Sequence, residues 1–188
     1  MQRRTDLQSL VFKLRGGIWT VLFLGVLFYA DPSGQTIPLA LVLVIAGQSL
    51  RFWAAGNIGL YRGEKVKARQ LVTWGPYALI RNPLYLANGM IGAGWSFLAG
   101  RAVFLVFLLV FVAMYNLCII PLEESFLERT FGDRYRAYRE RTGRFIPKSL
   151  QLPSSGGRFN VSVILRSEAH SVLVTLAGTV LLLSRIWW

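Results

Sequence analysis

The sequence has one cysteine and one histidine among its 188 residues. A lone cysteine, Cys118, cannot form a disulfide within the chain. Zinc sites are built mainly from cysteine and histidine, so neither a metal cofactor nor metal catalysis is expected. The sequence also lacks a glycine-rich phosphate loop and a serine–histidine–aspartate set. These absences exclude the motifs most common in soluble enzymes.

Charge is also scarce, and acidic charge most of all. Charged residues make up 16% of the chain, with 9 acidic against 21 basic side chains, whereas 54% of residues are hydrophobic. Soluble domains carry about 25% charged residues. Uncharged runs cover residues 16–30, 32–50, 82–100, 102–122 and 169–184. A membrane-crossing helix needs roughly 20 such residues, and only helices satisfy their own backbone in lipid. We therefore predict an all-α integral membrane protein.

The uncharged runs predict about five transmembrane helices, with turns at proline and glycine between them. The predicted helices cover residues 14–30, 38–60, 83–98, 102–120 and 170–186. After Pro121 the chain becomes charged and amphipathic, and Gly132 marks a break between two short helices. Residues 1–147 then form a core, and residues 148–188 form a linker plus the last helix.

Basic residues are concentrated in three parts of the chain, 1–15, 61–81 and 123–168, and the loops between them are nearly bare. Lysine and arginine gather in cytoplasmic loops. This distribution places the N-terminus and both later basic segments in the cytoplasm, and the C-terminus on the opposite side. The net charge of +12 thus indicates contact with anionic membrane lipids rather than with nucleic acid.

Two features carry candidate chemistry, the stretch Gly75–Tyr85 and the adjacent pair Glu123 and Glu124. The stretch combines two prolines and two tyrosines with Arg81 and Asn82, which suits the rim of a ligand site. Simpler readings are tyrosines at headgroup level and carboxylates that favour a helix N-terminus. Arg51 has two readings as well, a side chain that snorkels to the interface or a polar group in a cavity.

Taken in order, these motifs resemble the isoprenylcysteine carboxyl methyltransferase family of membrane enzymes over residues 40–147. The matching residues are Leu71-Val72-Thr73, Gly75-Pro76-Tyr77, Arg81-Asn82-Pro83-Leu84-Tyr85, Glu123-Glu124, Phe131-Gly132, Tyr135, Tyr138 and Phe145-Ile146-Pro147. In one departure, Asn82 stands where the family has histidine. Asparagine can still donate and accept hydrogen bonds but does not titrate near neutral pH.

The resemblance implies methyl transfer from S-adenosylmethionine, which enters from the cytosol, to a lipophilic acceptor that enters from the bilayer. It also implies that the cytoplasmic loops and the helical segment after Pro121 close the cofactor pocket. It implies the cofactor-binding candidates Lys65, Val66, Tyr77, Leu79, Asn82, Pro83, Tyr85, Glu123 and Glu124. Arg81, Glu123 and Glu124 are the catalytic candidates. Direct displacement at the methyl carbon needs alignment and exclusion of water more than acid–base chemistry.

The sequence is compatible with more than one methyl acceptor. The resemblance suggests the carboxylate of a prenylcysteine-like substrate, and a phospholipid amine or a small thiol is an alternative. A non-catalytic lipid-binding protein and an enzyme similar to NADPH-dependent sterol reductases are further alternatives.

Overall fold

The computed structural model describes residues 2–58, 70–150, 157 and 159–187. Within these residues the chain is helical and forms no β-strand. The order is α1 (Gln2–Tyr29), α2 (Thr36–Ile58), α3 (Pro76–Leu79), α4 (Pro83–Phe97), α5 (Arg101–Ala113), a π-helix (Met114–Ile119), α6 (Ile120–Phe131), α7 (Asp133–Arg141), α8 (Val161–Ser167), α9 (Ala169–Leu183) and a 3₁₀ turn (Ser184–Trp187). The predicted connection 61–73 and linker 148–160 lie largely outside the described residues.

The all-α membrane fold predicted from the sequence is confirmed. Four helical segments are long and apolar enough to cross a membrane, Gln8–Tyr29, Thr36–Ile58, Arg101–Phe131 and Ala169–Trp187. The remaining predicted helix, third in chain order, corresponds to α4, which has 15 residues. At 1.5 Å per residue it is about 22 Å long, shorter than the roughly 30 Å hydrocarbon core.

The fourth transmembrane helix does not end at Ile120, as the sequence suggested. It continues through Pro121 to Phe131, because α5, the π-helix and α6 form one unbroken helix. Proline in an α-helix clashes with the carbonyl four residues earlier and leaves it without a partner. Here the wider π-helix precedes Pro121, and the Gln8 amide donates to the Leu117 carbonyl at 3.0 Å. The helix ends instead at Gly132, whose φ is 54°, so the predicted break there is confirmed.

Glycines bring α2 and α4 into close contact. A Cβ on Gly94 would lie 2.6 Å from the Ala40 carbonyl oxygen, and one on Gly47 would lie 2.8 Å from the Ala87 oxygen. Backbone atoms cannot yield as a flexible side chain can. Small residues thus let these two helices approach each other, as is common for helices in membranes. The result is a fixed α4, which carries the candidate site at its first turn.

Three side-chain contacts join α9 and its leading residue to the core. Glu168 lies just before α9, is fully buried, and accepts from Arg51 at 3.0 Å. Farther along α9, the Thr175 hydroxyl donates to the Gln48 side-chain oxygen at 3.0 Å. The Trp95 indole donates to Thr179 at 2.9 Å. The C-terminal helix is therefore packed against α2 and α4.

Candidate active site

The stretch Gly75–Tyr85 is held by backbone hydrogen bonds to the chain just after α7. Gly75 has φ of 58°, a conformation that favours glycine. Pro76 and Pro83 confine the helix between them to the single turn α3. The amide of Arg81 then donates to the Gly143 carbonyl at 2.8 Å, and that of Asn82 donates to the Arg144 carbonyl at 3.3 Å. This pairing connects the loop before α4 to the segment that contains Arg144.

Glu124 is bound by two arginines. Arg81 donates to one of its carboxylate oxygens from Nε and Nη2, at 3.0 and 2.9 Å, and Arg144 donates to the other at 2.7 Å. The Glu124 and Arg81 side chains are only 12% and 10% exposed. Arg81 also donates to the carbonyls of Arg139 and Thr142. Two cations and one anion therefore meet at this point, and most Arg81 donors already have partners.

Glu123 lies on the same helix and has a different partner. It accepts a hydrogen bond from the Tyr85 hydroxyl. The Tyr85 ring is 4.5 Å from that of Tyr115, centroid to centroid, and Tyr115 is buried in the π-helix. A largely buried carboxylate thus faces aromatic rings and carries no direct ion pair in the described part of the chain. This environment can accept hydrogen bonds and attract a cation.

The other residues predicted for the cofactor site lie in α3, at the start of α4, or outside the described residues. Tyr77 is buried in α3 and its carbonyl accepts from the Tyr138 hydroxyl at 2.7 Å. Leu79 ends α3, and Pro83 is buried as the first residue of α4. The side-chain amide of Asn82 also donates to the Arg144 carbonyl, at 3.3 Å. The Asn82 side chain therefore helps to hold the loop in place. Lys65 and Val66 lie outside the described residues.

Two tyrosines of α7 pack against the segment that precedes α4. Tyr135 and Tyr138 are buried and pack with Leu71. Burial, together with the negative charge of Glu124, raises the pKa of Tyr135 to about 12. Burial also raises the pKa of Tyr138 above its usual value, with the neighbouring Tyr135 adding to the effect. Both hydroxyls therefore stay protonated at physiological pH, and α7 serves as the base on which α3 is fixed.

The sequence analysis did not include three residues that contact the two glutamates or their partners: Arg144, Asn116 and Tyr115. Arg144 binds Glu124, and it also donates to the Asn116 side-chain oxygen at 3.2 Å. Tyr115 supplies the second aromatic ring. The available signals were an amide within an apolar run and an arginine next to the Phe145-Ile146-Pro147 motif. Neither indicated the partner that the structure shows, because pairing across 20 or more residues depends on the fold.

An apolar cavity of about 340 Å³ begins one helical turn beyond Tyr85 and lies between α1, α2, α4, α5 and α9. Asn88, Gly92 and Trp95 line it from α4, on the face that begins at Tyr85. Arg51 also lines it, so the reading of Arg51 as a cavity residue is the correct one. The volume falls within the range typical of small-molecule sites.

Comparison with known sequences identifies the family. The sequence model of the phospholipid methyltransferase family matches residues 35–134, which include α2, α3, α4 and both glutamates. The chain belongs to the phospholipid methyltransferase family. The membrane methyltransferase family recognised from the motifs is thereby confirmed, and methyl transfer is the chemistry that this family supports.

Two curated relatives extend over most of the chain. One is the cobalt-zinc-cadmium resistance protein CzcN of Cupriavidus metallidurans, 35% identical over 179 residues, which covers 88% of this chain and 79% of the relative. The other is the nickel-cobalt-cadmium resistance protein NccN of Alcaligenes xylosoxydans xylosoxydans, 32% identical over 182 residues, or 89% and 81% of the two chains. No solved structure gives a significant match.

Methyltransferases of this family generally use S-adenosylmethionine, which has a sulfonium, a carboxylate, an amine and ribose hydroxyls to be bound. The cluster offers a matching set of groups. Glu123 can accept from hydroxyl or amino groups, and the Tyr85 and Tyr115 rings suit a sulfonium. Arg144, whose side chain is 33% exposed, can bind a carboxylate. The residues present therefore fit the cofactor.

Proposed function

We propose that this protein transfers a methyl group from S-adenosylmethionine to a lipophilic acceptor, at the junction of α4 and α6. One observation carries the proposal. The largely buried Tyr85–Glu123 pair, next to the Glu124 ion pairs, lies one helical turn from an apolar cavity between the membrane helices. A polar cofactor and an apolar acceptor could thus meet near Tyr85. Membership in the phospholipid methyltransferase family supports the reaction class.

On the cofactor side, the proposed roles divide between contact and positioning. Glu123, Tyr85 and Arg144 contact the cofactor. Arg81 and Glu124 hold each other, and through Arg144 and the backbone they fix the loop. Asn82 acts with Arg81 by holding the chain near Arg144. The basic loops favour a cytoplasmic position for this end of the protein.

When bound, S-adenosylmethionine supplies an electrophilic methyl group, whose carbon–sulfur bond breaks as the acceptor's lone pair bonds to the carbon. The protein aligns the two reactants and keeps water out, through the rings of Tyr85, Tyr115 and Trp19. A carboxylate or thiolate acceptor has no proton to lose. An amine acceptor has one, and Glu123 is the carboxylate placed to accept it.

The acceptor is proposed only as a class. A prenylcysteine-like carboxylate, a phospholipid amine and a small thiol all agree with the chemistry above. The curated relatives are named for resistance to cobalt, zinc, cadmium and nickel, and those names specify no methyl acceptor. The described residues contain no group of three or more histidine, cysteine, aspartate or glutamate side chains that could hold a metal ion.

Calorimetric titration of the purified protein tests the cofactor assignment. We expect saturable binding of S-adenosylmethionine and S-adenosylhomocysteine and no binding of NADPH. Binding of NADPH alone would instead favour the reductase alternative and refute the proposal.

The substitution Glu123→Gln tests the site. A hydrogen bond to a charged group contributes about 1.5–3 kcal/mol, so we expect S-adenosylhomocysteine affinity to fall at least about tenfold. Glu140→Gln, an exposed position on α7, is the matched control and should bind as the wild type does. Equal affinity in both variants would mean that Glu123 does not contact the cofactor.

A further inference from the structure

Arg15 lies on the inward face of α1, within the part of that helix that is long and apolar enough to cross a membrane. It follows Gln8 by seven residues and precedes Trp19 by four, a spacing that places all three on one face of a helix. Gln8 donates to the Leu117 carbonyl at 3.0 Å. The Trp19 ring stacks on that of Tyr115, with centroids 5.9 Å apart. This face therefore packs against the π-helix beside the candidate site, and an ionisable side chain in such a place commonly has a function.

The Arg15 guanidinium has hydrogen-bond donors that the described residues do not use. Its Nη1 atom donates to the Phe12 carbonyl at 2.6 Å, and its central carbon lies 4.0 Å from the centre of the Phe12 ring. A guanidinium carries more N–H donors than this contact needs, and within the described residues Arg15 has no other acceptor and no ion pair. Arg144 differs, because its two terminal nitrogens already bind Glu124 and Asn116. Arg15 can therefore bind an anion without breaking an existing ion pair.

Arg15 is a neighbour of the Tyr85–Glu123 pair. The Phe12 ring under its guanidinium packs against the hydrophobic cluster that contains Tyr115, as the Tyr85 ring does. Its positive charge contributes to the electrostatic surroundings of Glu123, Tyr85 and Tyr115. Arg15 and Glu123 are nevertheless not joined by an ion pair in the part of the chain that the structure describes. A cation on α1 and a carboxylate on α6 therefore border the same site without binding each other.

An α-amino-acid group matches this arrangement of charges. Such a group carries an ammonium and a carboxylate on one carbon atom, so a site that binds both needs an anion and a cation close together. S-adenosylmethionine and S-adenosylhomocysteine both end in this group. When the ammonium binds Glu123, the carboxylate also lies near Glu123, and two like charges repel each other unless a cation offsets them. Arg15 supplies that cation, and a guanidinium can bind a carboxylate through two parallel hydrogen bonds.

We propose that Arg15 binds the carboxylate of the cofactor's amino-acid group while Glu123 binds its ammonium. This inference rests on the proposed function for the identity of the cofactor. The family match covers residues 35–134, and α1 (Gln2–Tyr29) precedes it. The proposal therefore gives α1 a part in cofactor binding that the family-matched segment does not supply.

Two ligands that differ only in the carboxylate test the proposal. One is S-adenosylhomocysteine, and the other is its decarboxylated analogue, which keeps the adenosine, the sulfur and the amine. Titration calorimetry of the full chain in lipid nanodiscs measures both affinities. Because the carboxylate forms hydrogen bonds between charged groups, we expect the wild type to bind S-adenosylhomocysteine at least about tenfold more tightly than the analogue.

Two substitutions on α1 assign that preference to a residue. Arg15→Gln removes the cation, and we expect the affinity for S-adenosylhomocysteine to fall at least about tenfold. The affinity for the analogue should stay the same or rise, because its cationic amine is no longer near a second cation. Lys13→Gln makes the same change of charge at an exposed position of α1. It is the matched control and should keep the wild-type affinity for both ligands.

Two results with Arg15→Gln would overturn the proposal. An unchanged preference for S-adenosylhomocysteine would mean that another cation, such as Arg144, binds the carboxylate. An equal loss of affinity for both ligands would mean that Arg15 shapes the site without contacting the carboxylate. Arg15→Lys covers the case in which Arg15→Gln does not fold, because lysine keeps the charge but cannot form two parallel hydrogen bonds. Its preference should be weaker than that of the wild type, and an undiminished preference would also overturn the proposal.

The wild type separates this inference from the proposed function. If it binds neither ligand, the proposed function fails and the role of Arg15 fails with it. If it binds both ligands equally well, the cofactor assignment stands, but the carboxylate is not recognised and the role of Arg15 is refuted.

Discussion

Replacing Glu124 by glutamine should destabilise the protein far more than the same change four residues later. Glu124→Gln leaves Arg81 and Arg144 without the carboxylate that both bind, in surroundings where Glu124 and Arg81 are about nine-tenths buried. Removing one partner of a buried ion pair costs about 3–5 kcal/mol. Because Arg144 is one-third exposed and glutamine keeps one acceptor oxygen, we expect the lower end, about 3 kcal/mol.

Glu128 provides the matched control. It is also a glutamate of α6 bound by two arginines, Arg136 and Arg139, each at 3.0 Å. These arginines are 57% and 44% exposed, and exposed ion pairs contribute little to stability. Glu128→Gln should therefore leave the melting temperature almost unchanged.

Thermal unfolding in nanodiscs, followed by circular dichroism, measures both effects. For a chain of this size, about 1 kcal/mol shifts the melting temperature by about 2–4 °C. The Glu124→Gln variant should therefore melt about 6–12 °C below the wild type. Equal shifts in the Glu124 and Glu128 variants would refute the reasoning, because burial would then not distinguish the two carboxylates.

Two further predictions concern packing and pH. Gly94→Ala places a Cβ 2.6 Å from the Ala40 carbonyl oxygen and should lower the free energy of unfolding by about 1–3 kcal/mol. Gly25→Ala is the control, because nothing lies within 4 Å of its Cβ, and it should cause no loss of stability. Equal melting temperatures of the two variants would contradict the close contact between α2 and α4. Tyrosine ionises near pH 10 in the unfolded chain, and the pKa of Tyr135 in the folded protein is about 12. Its contribution is thus complete below about pH 10 and is lost as the pH rises toward about 12. Denaturant unfolding should show a shallower alkaline loss for Tyr135→Phe, and identical pH profiles would contradict the shift.

Local signals in the sequence were sufficient for most of the fold. Long uncharged runs predict transmembrane helices because backbone groups in the bilayer must hydrogen-bond within the protein. Pro76, Pro83 and Gly132 mark helix breaks because of the backbone conformations that proline and glycine adopt. The same backbone limits led to the wrong prediction that the fourth helix ends before Pro121. Whether a proline ends a helix depends on what satisfies the freed carbonyl, and here Gln8, more than 100 residues away in the chain, supplies the donor.

The site was only partly predictable. The motifs gave Arg81, Tyr85, Glu123 and Glu124, and the structure brings all four together. It also gives the two glutamates different partners, a tyrosine for Glu123 and two arginines for Glu124. Adjacent residues on a helix point about 100° apart. Their environments are therefore set by which neighbours pack on each side, and local spacing does not contain that information.

The sequence by itself determined the membrane class, the helical segments and the family, because hydrophobic length and ordered motifs are local properties of the chain. Tertiary structure alone decided that Arg144 binds Glu124 and that Arg51 pairs with Glu168. It also placed α9 along the cavity next to Tyr85. These are pairings between distant segments, and they depend on helix packing in three dimensions, where glycines such as Gly94 allow backbones to touch.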